Sequence, residues 1–132
     1  MRFLNYTAAS PAEDLALEEA LHVELEAGRC ENTWRVWQAA APALILGTGQ
    51  EAAREANLDA TEREGVAVLR RHSGGGAVVI GPGVLNFSAF YLIHELPGSE
   101  TIRGAMEAAL AAVQRWLRAQ GVASCLAGLS DL

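Results

Sequence analysis

Arg70-Arg71-His72-Ser73-Gly74-Gly75-Gly76-Ala77-Val78-Val79 is the stretch on which the reading of this chain turns. Three consecutive glycines let a backbone turn sharply and approach a ligand without Cβ interference, and their N-H groups can cradle phosphate oxygens. The two arginines before them offer forked, permanently charged donors suited to phosphate or carboxylate. The apolar run 66–69 precedes this loop as a strand. Ala77-Val78-Val79-Ile80, a Gly81-Pro82-Gly83 turn and the alternating segment 84–93 follow it and read as a hairpin at the centre of an antiparallel sheet. A P-loop is excluded because its motif needs a lysine, and a dinucleotide fingerprint because strands, not a long helix, follow the glycines. A glycine-rich hairpin loop with two solvated arginines fits the same residues.

Outward from the loop, the pattern is one of helices packed on a sheet. Ser10-Pro11-Ala12-Glu13 joins an N-cap serine, a proline at the first helical position and a glutamate three residues after the cap, predicting a helix over 11–27. Leu17, Leu21 and Leu25, with Ala20 beside them, give it an apolar face. Glu13, Glu18, Glu19, Glu24 and Glu26 read as a solvated face, and Gly28 ends the helix. Trp34-Arg35-Val36-Trp37 and Pro42-Ala43-Leu44-Ile45-Leu46-Gly47 read as two strands joined by an alanine-rich turn. Gly47-Thr48-Gly49-Gln50 bends into one or two short helices over 51–64, stopped by Gly65. Pro97-Gly98-Ser99 punctuates the chain before a second long helix over 101–120, with Ile102, Met106, Leu110, Val113 and Leu117 on one face and Gly121 beyond its end. Residues 122–132 read as a strand start followed by a turn.

Composition bounds the chemistry. The 132 residues, 51% hydrophobic and 20% charged, suit one domain, 1–132. All ten basic residues are arginine, so lysine-based covalent chemistry is excluded within them. Sixteen acids give a net charge of -6, which argues against a general nucleic-acid or anionic-membrane surface. Cys30 and Cys125, with His22, His72 and His94 scattered singly, form no zinc motif. No signal segment or run of about 18 apolar residues is present, so a cytoplasmic location is expected. Trp34, Trp37 and Trp116 read as packing residues and His72 as surface filler.

The loop, together with Leu85-Asn86-Phe87-Ser88, resembles the R-R-x-S-G-G-G-A-V-x-H-D-x-G-N-L-N-F-S signature of lipoate-protein ligases, in the biotin/lipoate ligase catalytic-domain family. Trp37, the 42–47 run and Gln50 are similar to the family's W-x-x-x-P-x-V-V-I-G-x-x-Q segment, and Gly128-Leu129-Ser130-Asp131-Leu132 to its G-x-N-D-L. The resemblance implies an α/β domain of α+β type, a mainly antiparallel sheet flanked by helices, related to class II aminoacyl-tRNA synthetase catalytic domains. It implies that ATP, with Mg, and lipoate form a lipoyl-adenylate. The acyl group then passes to a lysine of a lipoyl carrier domain, such as those of 2-oxoacid dehydrogenase subunits or the glycine cleavage carrier protein. Carried over by motif position, Arg71, Ser73, Gly74, Gly75, Gly76, Ala77, Val78 and Val79 form the ATP or adenylate site, with Arg70 and Asn86 supporting the acyl-adenylate.

Two departures stand out. Ile80-Gly81 replaces the family's H-D, and Gly83-Val84-Leu85-Asn86 its G-N-L-N. In the ligases a K-x-S-G-x-A motif follows N-D-L, and its lysine contacts carboxylate and phosphate. Residues 1–132 are therefore expected to be the N-terminal part of such a domain, without that lysine, and a second chain is one way to complete it. Two other readings go with the resemblance: an octanoyl or lipoyl transferase using Cys125 as thioester nucleophile, and a truncated member that only binds acyl-adenylate. Cys125 also reads as a small buried hydrophobe, and Cys30 as incidental.

Overall fold

In the computed structural model, residues 1–96, 98 and 100–128 are described; Pro97, Ser99 and 129–132, on which parts of the expected turns fall, lie outside them. The chain divides into two compact units, one over Met1–Phe90 and one from Tyr91 onward. The first contains β1 (Arg2–Asn5), α1 (Pro11–Glu26), β2 (Thr33–Trp37), β3 (Ala43–Leu46), α2 (Ala52–Glu55), α3 (Leu58–Arg63), β4 (Ala67–Arg70), β5 (Val78–Ile80) and β6 (Asn86–Phe90). The second contains a short 3-10 turn (Ile93–Glu95) and α4 (Ile102–Ala119).

The strands form two three-stranded sheets, ordered β1-β2-β6 and β4-β3-β5. The outer pairs β1-β2 and β3-β4 are parallel, while β2-β6 and β3-β5 are antiparallel. The α/β class is thus as expected, but the hairpin is not. β5 and β6 belong to different sheets, because β6 pairs along its whole length with β2, from Asn86 opposite Trp37 to Phe90 opposite Thr33. Phe87 also stacks on Trp34, with ring centroids 6.4 Å apart. The Gly81-Pro82-Gly83 turn is a crossing between sheets, as is the alanine-rich segment 38–42. The two crossings touch: a Cβ on Gly81 would lie 3.3 Å from Pro42 Cα. β1 carries no apolar alternation and is set by its parallel pairing with β2.

Local chemistry explains the helices. Ser10 Oγ accepts from Glu13 N at 3.3 Å, and Glu13 Oε2 accepts from Ala9 N at 3.2 Å, so two N-H groups at the start of α1 are satisfied. Gly28, at φ 68°, turns the chain beyond its end. There Arg29 donates to both oxygens of Glu24, at 2.8 and 2.6 Å, and this hydrogen-bonded pairing holds the Glu24 carboxyl below its usual value. Asn57 and Thr101 cap α3 and α4 by accepting from Ala60 N and Gly104 N, both at 3.0 Å. In α4, Met106, Leu110, Val113 and Leu117 are half-buried. Ile102 and Trp116 are exposed, so Trp116 is not the packing residue expected. Residues 122–126 carry no strand.

The core of the first unit is Trp37, Ala39, Ala43, Ile45 and Ile80, with Leu15 and Leu69 against it. β3 lies between two neighbours and is apolar at every position, which a strand covered on both faces requires. The α1 row that faces inward is Pro11, Asp14, Leu21 and Leu25, with Glu18 half-buried, so part of the acidic series is not a solvated face. The cause is Arg35, which points inward from β2 and is completely buried. Its Nη1 donates to Glu18 Oε1 at 3.0 Å and to the Asp14 carbonyl oxygen at 3.1 Å, and Nη2 donates to Asp14 Oδ1. Nε and Nη2 reach the Tyr6 carbonyl oxygen at 3.2 and 3.1 Å. The guanidinium carbon also lies 4.7 Å from the centre of the Trp37 ring, at cation-π distance.

A buried guanidinium with this many partners stabilises only as a set, because removing one member strands the others away from water. Arg35→Met is expected to lower unfolding stability by about 3–5 kcal/mol, read as a fall in the urea midpoint. The exposed control Arg63→Met should change it by less than about 0.5 kcal/mol.

Candidate functional site

The glycine loop is held against the end of β3 and the turn that follows it. β4 ends at Arg70, whose Nη1 donates to the carbonyl oxygens of Gly47 (2.8 Å), Thr48 (3.3 Å) and Gln50 (2.6 Å). The turn 47–50 is thereby clamped next to the loop, and its own Gly47 N donates to Gln50 Oε1 at 2.8 Å. Thr48 N donates to the Ser73 carbonyl oxygen and Arg71 N to that of Leu46, both at 2.9 Å. The approach is so close that a Cβ on Gly47 would lie 2.2 Å from the Gly75 carbonyl oxygen. Gly75 itself sits at φ 96°, a region that disfavours any side chain.

Arg71 closes the loop on itself. Its Nε and Nη2 donate to the Gly74 carbonyl oxygen at 3.1 and 2.6 Å, and Nη2 also to that of Gly76 at 2.9 Å. A guanidinium satisfied by weak neutral acceptors on an exposed loop can exchange them for a charged phosphate, whose hydrogen bonds are roughly twice as strong.

Beside the loop opens a cavity of about 340 Å³. Arg71, His72 and Ser73 form one wall, and Leu15, Trp37, Ile45, Val78, Ile80, Leu85 and Phe87 give an apolar lining. Glu18, Asn86 and Ser88 add polar groups. Of the residues expected from the sequence, Arg71, Ser73, Val78 and Asn86 are brought together here. Gly74, Gly75, Gly76 and Ala77 form the loop that connects them. Val79 is two-thirds exposed and outside the lining, and Arg70 acts through the 47–50 turn. Asn86 Nδ2 donates to the Val84 carbonyl oxygen at 3.3 Å.

Several lining residues were not among the site residues expected from the sequence. Glu18 accepts from Ser88 Oγ at 2.7 Å on each oxygen and from Arg35, so the cavity wall is tied directly to the buried network. Its signal was the i, i+3 spacing from Leu15, which puts both on one face of α1. Trp37 is buried, and its Nε1 has no partner among the described residues. An orphan donor of this kind costs about 1–3 kcal/mol until an acceptor reaches it. His72 is a lining residue, not filler, and its ring meets that of His22. Cys125 is exposed, contrary to the buried side chain expected, and Cys30 is half-buried with its Sγ 3.7 Å from the Leu21 carbonyl oxygen. Among the described residues no group of three His, Cys, Asp or Glu side chains is placed to hold a metal ion, and no helix is long and apolar enough to cross a membrane.

Comparison with known proteins fits this geometry. The family model for the lipoyl protein ligase A/B catalytic domain matches residues 10–132. Lipoate-protein ligase LplJ of Bacillus subtilis is 36% identical over 84 residues, covering 64% of this chain and 24% of that protein. Octanoyltransferase LipM of an Exiguobacterium species is 36% identical over 76 residues, covering 58% of this chain and 28% of that protein. This chain thus spans less than a third of the length of these curated relatives. A bi-partite lipoate protein ligase of Thermoplasma acidophilum, described with its E2 lipoyl domain, superposes with a TM-score of 0.82 at 26% identity, over 97% of this chain and 48% of that one. A lipoate-protein ligase A bound with ATP gives a TM-score of 0.81 at 27% identity, over 99% and 52%. The two sheets with their helices are therefore the class II synthetase-like catalytic fold of these ligases. Loop, cavity and matched span together establish that the chain belongs to the lipoyl protein ligase A/B catalytic-domain family.

Proposed function

We propose that residues 1–132 form the nucleotide- and acyl-binding part of a lipoate-protein ligase domain working in the cytoplasm. The observation that carries this reading is one cavity in which the Arg71-His72-Ser73 end of the glycine loop faces an apolar wall of Leu15, Trp37, Ile45, Ile80 and Phe87. An acyl chain buries its methylenes against that wall, at about 0.8 kcal/mol for each CH₂. Its carboxylate then lies near the loop, where ATP, brought in with Mg²⁺ as substrate, presents its α-phosphate. The carboxylate oxygen attacks that phosphorus, the bond to the β-phosphate oxygen breaks, and pyrophosphate leaves with an acyl-adenylate remaining. A lysine amine of a lipoyl carrier domain then attacks the acyl carbon and releases AMP.

In this reading Arg71 leaves the Gly74 and Gly76 carbonyls to meet phosphate, while Ser73, Gly74, Gly75, Gly76, Ala77 and Val78 shape the backbone around it. Arg70 keeps the loop in place through Gly47, and Asn86 serves the adenylate. The ATP-bound neighbour supports the nucleotide, and the neighbour described with its E2 lipoyl domain supports a lipoyl carrier domain as acceptor; a 2-oxoacid dehydrogenase subunit and the glycine cleavage carrier protein are the carriers proposed.

The test is ATP-pyrophosphate exchange by the full gene product, scanned over lipoate, octanoate and shorter acids. Exchange that depends on lipoate or octanoate is the expected result; none with any acid removes the reading. Arg71→Ala should reduce the exchange by about 10- to 100-fold, the loss of a charge-assisted hydrogen bond to phosphate. Gly47→Ala should reduce it as well with Arg71 intact, because its methyl displaces Gly75 and with it the loop; undiminished exchange would show that the loop does not position the nucleotide.

The octanoyltransferase relative and the exposed thiol of Cys125 favour a second reading, transfer through a Cys125 thioester. Intact-mass analysis after incubation with an octanoylated carrier separates the two. A covalent adduct that disappears in Cys125→Ser supports transfer, whereas no adduct on the unmutated protein supports the ligase.

A further inference from the structure

The glycine loop is attached to α1 by a contact that the activation chemistry does not use. Leu15, Glu18 and His22 are spaced i, i+3 and i+7 and share one face of α1. Leu15 and Glu18 line the cavity, and His22 follows them on that face without lining it. From the opposite side His72, itself a lining residue between Arg71 and Ser73, places its ring over His22. The centroids are 5.1 Å apart and the planes are inclined by 32°, within the range of offset aromatic stacking. His22 is held in turn on its own helix, with Nε2 3.5 Å from Glu26 Oε1 one turn further along.

The loop's other attachments all come from the 47–50 turn and the end of β3: Thr48 N to the Ser73 carbonyl, Arg71 N to the Leu46 carbonyl, and the Gly47–Gly75 approach. These hold the loop to β3 and the turn that follows it. Among the interactions of the described residues, the His22–His72 stack ties it to α1. Glycines restrain one another little, so a side-chain contact from α1 adds a restraint on the loop that the backbone bonds of Arg71 and Ser73 to β3 and the 47–50 turn do not supply.

We propose that His22 is a positioning residue: stacked on His72, it clasps the glycine loop to α1 and sets the loop in the arrangement that receives the anionic ligand. It touches no reacting atom. A flat aromatic ring is what the role requires, so phenylalanine replaces it and alanine does not. The structural part stands on the ring contact alone, and the consequence for nucleotide rests on the ligase reading above.

Two measurements on the full gene product keep those parts separate. Amide hydrogen exchange of residues 72–76 without ligand should quicken by about three- to tenfold in His22→Ala and return to the unmutated rate in His22→Phe. The KM for ATP in pyrophosphate exchange should rise by a similar factor in His22→Ala, with kcat moving less, and recover in His22→Phe, while the urea midpoint of all three proteins stays the same. Loop exchange unaltered by His22→Ala overturns the proposal. So does a phenylalanine variant that behaves like alanine, because the imidazole nitrogens would then be what matters. If loop exchange responds as expected but the unmutated protein shows no acid-dependent pyrophosphate exchange, the clasp stands and the ligase reading fails.

Discussion

The buried guanidinium of Arg35 is the constraint from which most of the first unit follows. It sits in the middle of β2, and its donors reach the Tyr6 carbonyl after β1, the Asp14 carboxyl and carbonyl in the first turns of α1, and Glu18 one turn further on. The partners come from the link after β1 and from two successive turns of α1, so the angle at which α1 crosses the sheet and the path from β1 into it are fixed together. Ser88 on β6 lies directly opposite Arg35 in the ladder and completes the set through Glu18. A leucine at position 35 would be apolar and buried but would leave α1 free to slide, since Leu21 and Leu25 are non-directional contacts.

A second constraint is steric. A β-carbon on Gly47 would lie 2.2 Å from the Gly75 carbonyl oxygen, while Gly75 itself is confined to glycine by its φ of 96°, and this close approach brings the end of β3 against a loop 28 positions later. The Arg70 side chain fastens the same meeting point by drawing three carbonyl oxygens of the 47–50 turn onto one nitrogen. The two consecutive arginines therefore do different work. The Arg70 side chain serves architecture, while among the described residues the Arg71 guanidinium donates to carbonyls of its own loop and lines the cavity.

What the sequence made legible were features governed by neighbours in the chain. The Ser10 cap, the Gly28 and Gly65 stops, the apolar β3 and the loop between β4 and β5 depend on local backbone chemistry and emerge where expected. What it hid was settled by distant partners. β5 and β6 look like a hairpin because a Gly-Pro-Gly turn joins two apolar runs, yet β2 outbids β5 as a partner through the Phe87–Trp34 stack and the Ser88–Glu18–Arg35 chain. Glu18 looked solvated for the same reason: the residue that draws it inward is 17 positions away on another element. In the candidate site the loop was readable from its glycines, whereas the wall it faces comes from α1, β2, β3, β5 and β6, which no local pattern assembles.

That wall also explains the departures from the family signature. Where the ligases carry H-D after the paired valines, this chain has Ile80-Gly81. Ile80 is buried in the core beside Trp37 and Ile45 and lines the cavity, so a histidine there would put a polar ring among apolar neighbours. Gly81 passes within contact distance of Pro42 at the point where the two sheet crossings meet, and an aspartate would need that space. The exchange thus moves the cavity toward apolar character on the side away from Arg71, while the polar groups that remain, Glu18, Ser88 and Asn86, are each held by a partner within the fold. The polarity of the cavity thus runs from the Arg71 guanidinium at the loop to an apolar wall, in which the Trp37 indole N-H has no partner among the described residues.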